Sequence, residues 1–130
     1  MKKFLLFIPI SIVTFLLLGG VASAATIYVN YSTGNDTTGD GTSGTPYKSF
    51  HKGYTEASAD DTINAVGTFD WSNADETGDA SVTGYTIGKN LTIVGSGPDE
   101  TIFQAASTTL SSGKRVFTIG EGITASIQGV

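Results

Sequence analysis

The sequence predicts an all-β chain of short, stacked strands with one helix near its start. Seventeen glycines and abundant Thr and Ser, against three prolines and a single tryptophan, suit many short strands joined by tight turns. Strand-then-glycine segments recur, at Thr62 to Val66 before Gly67, Leu91 to Val94 before Gly95, Val116 to Ile119 before Gly120, and Ser126 to Gln128 before Gly129. Placing Ile63, Ile93 and Ile127 in one column spaces them by about thirty residues, within the range where self-similarity signals a solenoid.

The chain opens with Lys2 and Lys3, an apolar run from Phe4 to Leu18, then Gly19-Gly20 and the small-residue tripeptide Ala22-Ser23-Ala24. That order of charge, apolar stretch and A-x-A is a secretory signal peptide over residues 1–24, with cleavage expected after Ala24 or Ala25. A membrane anchor would need roughly 18 to 20 apolar residues and a stop-transfer charge cluster, whereas Pro9 breaks this run and small residues follow it. No membrane contact is therefore expected after cleavage, and the protein is expected to be secreted or held at the cell surface. Removing the leader takes away Lys2 and Lys3 and no acid, which leaves five basic side chains against twelve acidic ones, a net charge of −7. Nucleic acid and anionic membrane are poor partners for that balance. With no cysteine, an exported chain must take its stability from a core or a metal.

Residues 25–60 read as an N-terminal strand, a Gly/Asp loop and a helix. Thr26-Ile27-Tyr28-Val29-Asn30 alternates as a half-buried strand does. From Ser32 to Thr45 there is no bulky apolar residue, and Gly, Asn and Asp suit turn dihedrals. Thr45-Pro46 looks like a helix start, with Thr as the N-cap acceptor and Pro where a missing N–H costs nothing. Tyr47, Phe50, Tyr54 and Ala57 then form an apolar stripe opposite Lys48, Lys52 and Glu56, a helix of about three turns. Residues 61–130 hold the remaining strands, including Tyr85-Thr86-Ile87 and Thr101 to Ala105. Asp70 to Gly84, with Asn73, Asp75, Glu76, Gly78 and Asp79, is expected to be a polar loop thrown outward.

The run Tyr28-Val29-Asn30, Gly34-Asn35-Asp36, Asp40-Gly41-Thr42, Pro46-Tyr47-Lys48-Ser49-Phe50, Asp61-Thr62-Ile63 and Gly67-Thr68-Phe69 resembles the N-terminal signature of secreted proteins of the pectate-lyase-like superfamily. Lys89 to Gly95 followed by Thr101-Ile102-Phe103 resembles the family's next stretch. The resemblance spans nearly the whole mature chain and implies a right-handed parallel β-helix whose first coil is covered by the helix. Asp60 stands where the family usually has glycine, and the family's strand after Ile63 is often a residue longer. The resemblance also implies action on, or binding to, extracellular polysaccharide. The ending in a strand at Gln128-Gly129-Val130 reads as the opening piece of a longer protein, with its remaining coils as the nearest partner. Fewer than three repeats make a marginal solenoid with a sticky edge.

Few residues offer chemistry. Asp36, Asp40 and Gly41 match positions one, five and six of a calcium loop, but position three is Thr38 and position twelve is Tyr47, where the bidentate acid belongs. A turn is the better reading, with calcium at Asp36 and Asp40 as the leading metal candidate and no other cofactor expected. Asp70, Asp75, Glu76 and Asp79 could also gather a cation, but a solvated charge run is the better reading. Gly95-Ser96-Gly97 lacks the third Gly and helix of a dinucleotide site. His51, the single histidine, reads as a half-buried helix residue without a nucleophile beside it. Trp71 either stacks on a sugar ring or anchors its loop. Asn30, Asn35 and Asn90 each begin an N-x-S/T triplet. A lyase would need a base and a cation beside a uronate carboxylate, and the basic side chains among the strands are Lys89, Lys114 and Arg115. No catalytic residue is assigned. A polysaccharide-acting protein and a non-catalytic surface adhesin or structural protein therefore both fit.

Overall fold

The computed structural model describes residues 23–76, 84–105 and 115–130. Residues 1–22 of the expected leader, Gly78 and Asp79 of the polar loop, and Lys114 lie outside the described residues. The described residues form seven strands: β1 (Thr26–Asn30), β2 (Thr62–Asp70), β3 (Tyr85–Ile87), β4 (Leu91–Gly95), β5 (Thr101–Gln104), β6 (Phe117–Ile119) and β7 (Ala125–Gln128). One α-helix, α1 (Phe50–Glu56), and a 3-10 turn at Ala74–Glu76 complete the described secondary structure.

Every pairing between these described strands is parallel. A five-stranded sheet runs in the order β1, β2, β4, β7, with β5 paired to the second half of β2, while β3 and β6 form a sheet of their own. The register places Ile27, Ile63, Ile93 and Ile127 in one column and Thr26, Thr62, Thr92 and Ser126 in the next. Alternation explains the burial, because a strand sends successive side chains to opposite faces: Ile63, Ala65, Leu91 and Ile93 are buried while their neighbours are partly exposed. Ile127 shares the column but is 37% exposed, since β7 pairs with β4 alone among the described strands.

The expected all-β, right-handed parallel β-helix is corrected by this arrangement. The architecture is mixed, one helix with parallel sheets, and the described strands form no closed solenoid: β1, β2, β4, β7 and β5 share one sheet while β3 and β6 pair separately. Recurring isoleucines report the register along one sheet. The pairs Phe69–Phe103, Tyr85–Phe117 and Ile87–Ile119 repeat at a similar spacing in the other pairings.

The helix also differs from its expected bounds. It begins at Phe50, with Ser49 as N-cap accepting from the Lys52 N–H at 3.0 Å, and is seven residues long. Tyr47 lies in a bridge with Val29: its N–H donates to the Tyr28 carbonyl and its carbonyl accepts from the Asn30 N–H. Pairing to β1 therefore outcompetes the helical start that Thr45-Pro46 suggests. Helix and sheet approach closely at Gly53, where a Cβ would lie 2.3 Å from Val29 Cγ1. Asp60, at the position where the resemblance expects glycine, adopts φ 70°, the left-handed region in which Asp is among the better tolerated side-chain-bearing residues.

A second close approach lies at Gly95, where a Cβ would meet the Gly129 carbonyl oxygen at 2.1 Å and Thr101 Cβ at 2.9 Å. Backbone cannot yield as a flexible side chain can. Gly95→Ala is expected to cost about 1–3 kcal/mol by forcing β4 and β7 apart, read as a lowered denaturation midpoint; an unchanged midpoint would show that the two corners are not in contact.

Candidate functional site

The polar side chains with chemical potential lie around the helix, and most are bound to backbone groups. Asp36 stands just before the helix and accepts the N–H groups of Lys48 at 2.7 Å and Ser49 at 3.0 Å through one oxygen. Asp40 accepts the Thr42 N–H at 3.0 Å, the Thr42 hydroxyl at 2.8 Å and the Thr45 hydroxyl. The Thr45 hydroxyl, with the Thr42 backbone and hydroxyl behind it, holds the Asp40 carboxyl at about 2. The two carboxylates thus serve two different turns. A concavity of about 160 Å³ in this loop is lined by Thr33, Asn35, Thr38, Thr45 and Pro46, and neither aspartate lines it. Tyr47, the residue at position twelve of the calcium pattern, is buried, and no group of three or more His, Cys, Asp or Glu suited to a metal occurs among the described residues. Adding calcium is expected to leave the melting temperature unchanged; a rise that a chelator reverses would establish a cation site at Asp36 and Asp40.

Glu76 is the residue that sequence reasoning missed. Placed in a polar loop, it reads as solvated, yet it is fully buried and its two oxygens accept the Phe50 and His51 N–H groups at 2.9 Å each. These are among the N–H groups that a helix start leaves without partners. Burial pushes its carboxyl up to about 7, with the two N–H groups pulling the other way and the Asp36 and Asp75 charges adding to the rise. Its partner lies 25 or 26 residues away in the chain, so no local pattern announces it. Beside it, Lys48 pairs with Asp75.

His51 is exposed, and its Nδ1 lies 2.9 Å from the Tyr85 hydroxyl. Burial, with Tyr54 and Glu76 nearby, raises the Tyr85 phenol well above its ordinary value. Trp71 is buried rather than offered to a ligand: its Nε1 donates to the Val116 carbonyl at 2.6 Å and its ring packs against Phe50, Tyr85, Phe103 and Phe117. Lys89 Nζ donates to the Tyr54 and Ala57 carbonyls at the helix C-terminus and sits 4.3 Å from the Tyr54 ring centroid. Burial lowers its ammonium, against an opposing pull from Asp61. The three sequon asparagines also hold backbone, with Asn30 accepting from Ser32 and Thr33, Asn35 from Thr37 and Thr38, and Asn90 from Thr124. Arg115 is exposed.

At the end of the sheet away from the helix the surface changes character. Ile102, Ile119, Ile127 and Val130 are exposed. A groove of about 460 Å³ runs between Pro98, Ile102, Phe103, Phe117, Ile127 and Val130. β7 carries no charged residue. Comparison with protein-family models, with curated proteins and with solved structures finds no match to this chain.

Proposed function

We propose that the chain is a non-catalytic module of an exported, surface-associated protein, and that its work is assembly and adhesion rather than turnover. The observation that carries this reading is the contrast between its two ends. At the start, the Gly41 to Tyr47 segment bonds to β1 and α1 packs against β1 and β2, which occupies that edge. At the far end, β7 and its exposed isoleucine continue the Thr/Ser and Ile columns, and among the described residues no strand pairs with its outer edge. An unpaired, uncharged edge is a template for another strand. The occupant that continues the ladder is an extended segment running parallel to β7, with Ser or Thr followed by Ile or Val in the established register.

The commitment of Glu76, Asp36, Asp40, Asp61 and Lys89 to backbone groups supports a structural over a catalytic role. Export is supported by the leader pattern, and extracellular polysaccharide as the ligand class is supported by the motif resemblance alone. Two measurements test the reading on the exported protein. Incubation with an acidic polysaccharide, with and without chelator, is expected to release no unsaturated uronate; release in either condition overturns the non-catalytic reading. Concentration-dependent sedimentation is expected to show association that Ile127→Lys suppresses, and identical profiles for both proteins overturn the open edge as the sticky surface.

A further inference from the structure

Among the described residues, the first that the fold grips is Ala25. Its N–H donates to Asp61 Oδ1 at 2.7 Å, and its carbonyl accepts the Thr62 N–H at 2.8 Å. Asp61 is only 5% exposed, and its other oxygen accepts the Ser58 N–H at 2.7 Å. The preceding residues, Ser23 and Ala24, are exposed. A carboxylate this buried is costly unless a cation or several donors meet it. Neither ion pair among the described residues includes Asp61. The nearby cation, Lys89, spends its ammonium on the Tyr54 and Ala57 carbonyls and reaches Asp61 through space only. Asp60, the other charged neighbour, is exposed and has the same sign.

We propose that the Ala24–Ala25 bond is the processing site of the exported chain, and that the α-ammonium freed at Ala25 becomes the ion-pair partner of Asp61. The inference rests on the export reading and goes beyond it in choosing the bond and giving the new terminus a binding site. In the step itself, water adds across the bond between the Ala24 carbonyl carbon and the Ala25 nitrogen, catalysed by the exporting cell's leader peptidase. Ala24 leaves as the carboxylate end of the leader, and the Ala25 nitrogen takes up the protons. The nitrogen already lies at hydrogen-bond distance from Asp61, so cleavage turns a neutral donor into a charged one in place, and charge-assisted bonds are the stronger kind. Cleavage one bond later, after Ala25, would begin the chain at Thr26 and remove both contacts. Asp61 Oδ1 and the Thr62 N–H would then lose their partners.

The test is to express the whole chain in an exporting bacterial host and take the intact mass of the protein recovered outside the cell. A mature chain starting at Ala25 is the expected result. A start at Thr26 or any other residue overturns this inference and leaves export standing, whereas an uncleaved chain retained in the cell overturns both. A second measurement follows acetylation of the α-amine near neutral pH. A carboxylate partner raises an amine above its ordinary value of about 8, so the wild-type amine should react several-fold more slowly than that of Asp61→Asn. Equal rates overturn the ion pair. If Asp61→Asn does not accumulate, native and urea-unfolded wild-type protein are compared instead, with the same slower native reaction expected and equal rates again decisive against the pair.

Discussion

Phe50→Ala is expected to cost about 3–5 kcal/mol, a large share of the ~5–15 kcal/mol margin typical of a domain, and so to lower the denaturation midpoint steeply. Phe50 is fully buried at the first position of the helix. Its ring centroid lies 5.2 Å from those of Tyr85 and Phe103, 5.8 Å from Trp71, 5.9 Å from Phe117 and 6.3 Å from Phe69. These residues belong to both sheets: Phe69 to β2, Phe103 to β5, Tyr85 to β3 and Phe117 to β6. Because the sheets share no strand pairing, side-chain packing must join them, and Phe50 is where the rings meet. Each edge-to-face ring pair adds about 0.5–1.5 kcal/mol beyond the area it buries. Phe50→Leu keeps most of the volume and should lose much less, so the pair of variants separates lost volume from lost ring geometry. Urea denaturation measures both, and a Phe50→Ala midpoint near that of the wild type would show that the aromatic cluster does not hold the sheets together.

The strands were legible in the sequence for a simple reason: each has its own alternation, and alternation is local. Thr26 to Asn30, Tyr85 to Ile87 and Leu91 to Gly95 stand where the pattern puts them, and the isoleucine column corresponds to the observed register. Other features depended on distant partners. The helix start moved from Thr45 to Ser49 because Tyr47 bonds to β1 and because Glu76, far along the chain, accepts the first helical N–H groups. The closed all-β architecture was an extrapolation from one column of apolar residues to a whole cross-section. Gly67, expected to end a strand, instead lies inside nine-residue β2, whose two halves pair with different strands.

Candidate sites were legible in a similarly divided way. Asp36 and Asp40 fall in turns, as the missing ligands at Thr38 and Tyr47 suggest, and Trp71 anchors its loop, the alternative that a lone tryptophan always carries. Glu76 was hidden because its surroundings in sequence, Asn73, Ala74 and Asp75, are those of a solvated loop. What buries it is the helix, brought over it by the aromatic stripe. Composition describes a residue's neighbours in the chain; burial depends on its neighbours in space.

That burial makes Glu76 the source of the second large effect, a stability that falls as pH rises from about 5 to 8. With its carboxyl raised from 4.5 to about 7, the folded state retains a proton over a window in which the unfolded chain releases it. Stability falls with pH wherever the native state binds the extra proton. The contribution is therefore fully present below about 4.5 and is lost as pH climbs through 7, by up to about 3 kcal/mol, or several degrees or more in Tm for a domain of this size. The groups facing Glu76 shape the window: Asp36 and Asp75 favour the protonated acid, Lys48 is engaged with Asp75, and the Phe50 and His51 N–H groups favour the anion. Asp40 acts oppositely, since its lowered carboxyl supports the fold until the pH falls through about 2. Glu76→Gln cannot titrate and, like the protonated acid, presents one donor group and one acceptor, so it should flatten the slope between pH 5 and 8. His51→Gln leaves Glu76 in place and should keep the slope. Thermal melts of the three proteins across that range decide the matter: a slope that persists in Glu76→Gln would overturn the buried acid as its source.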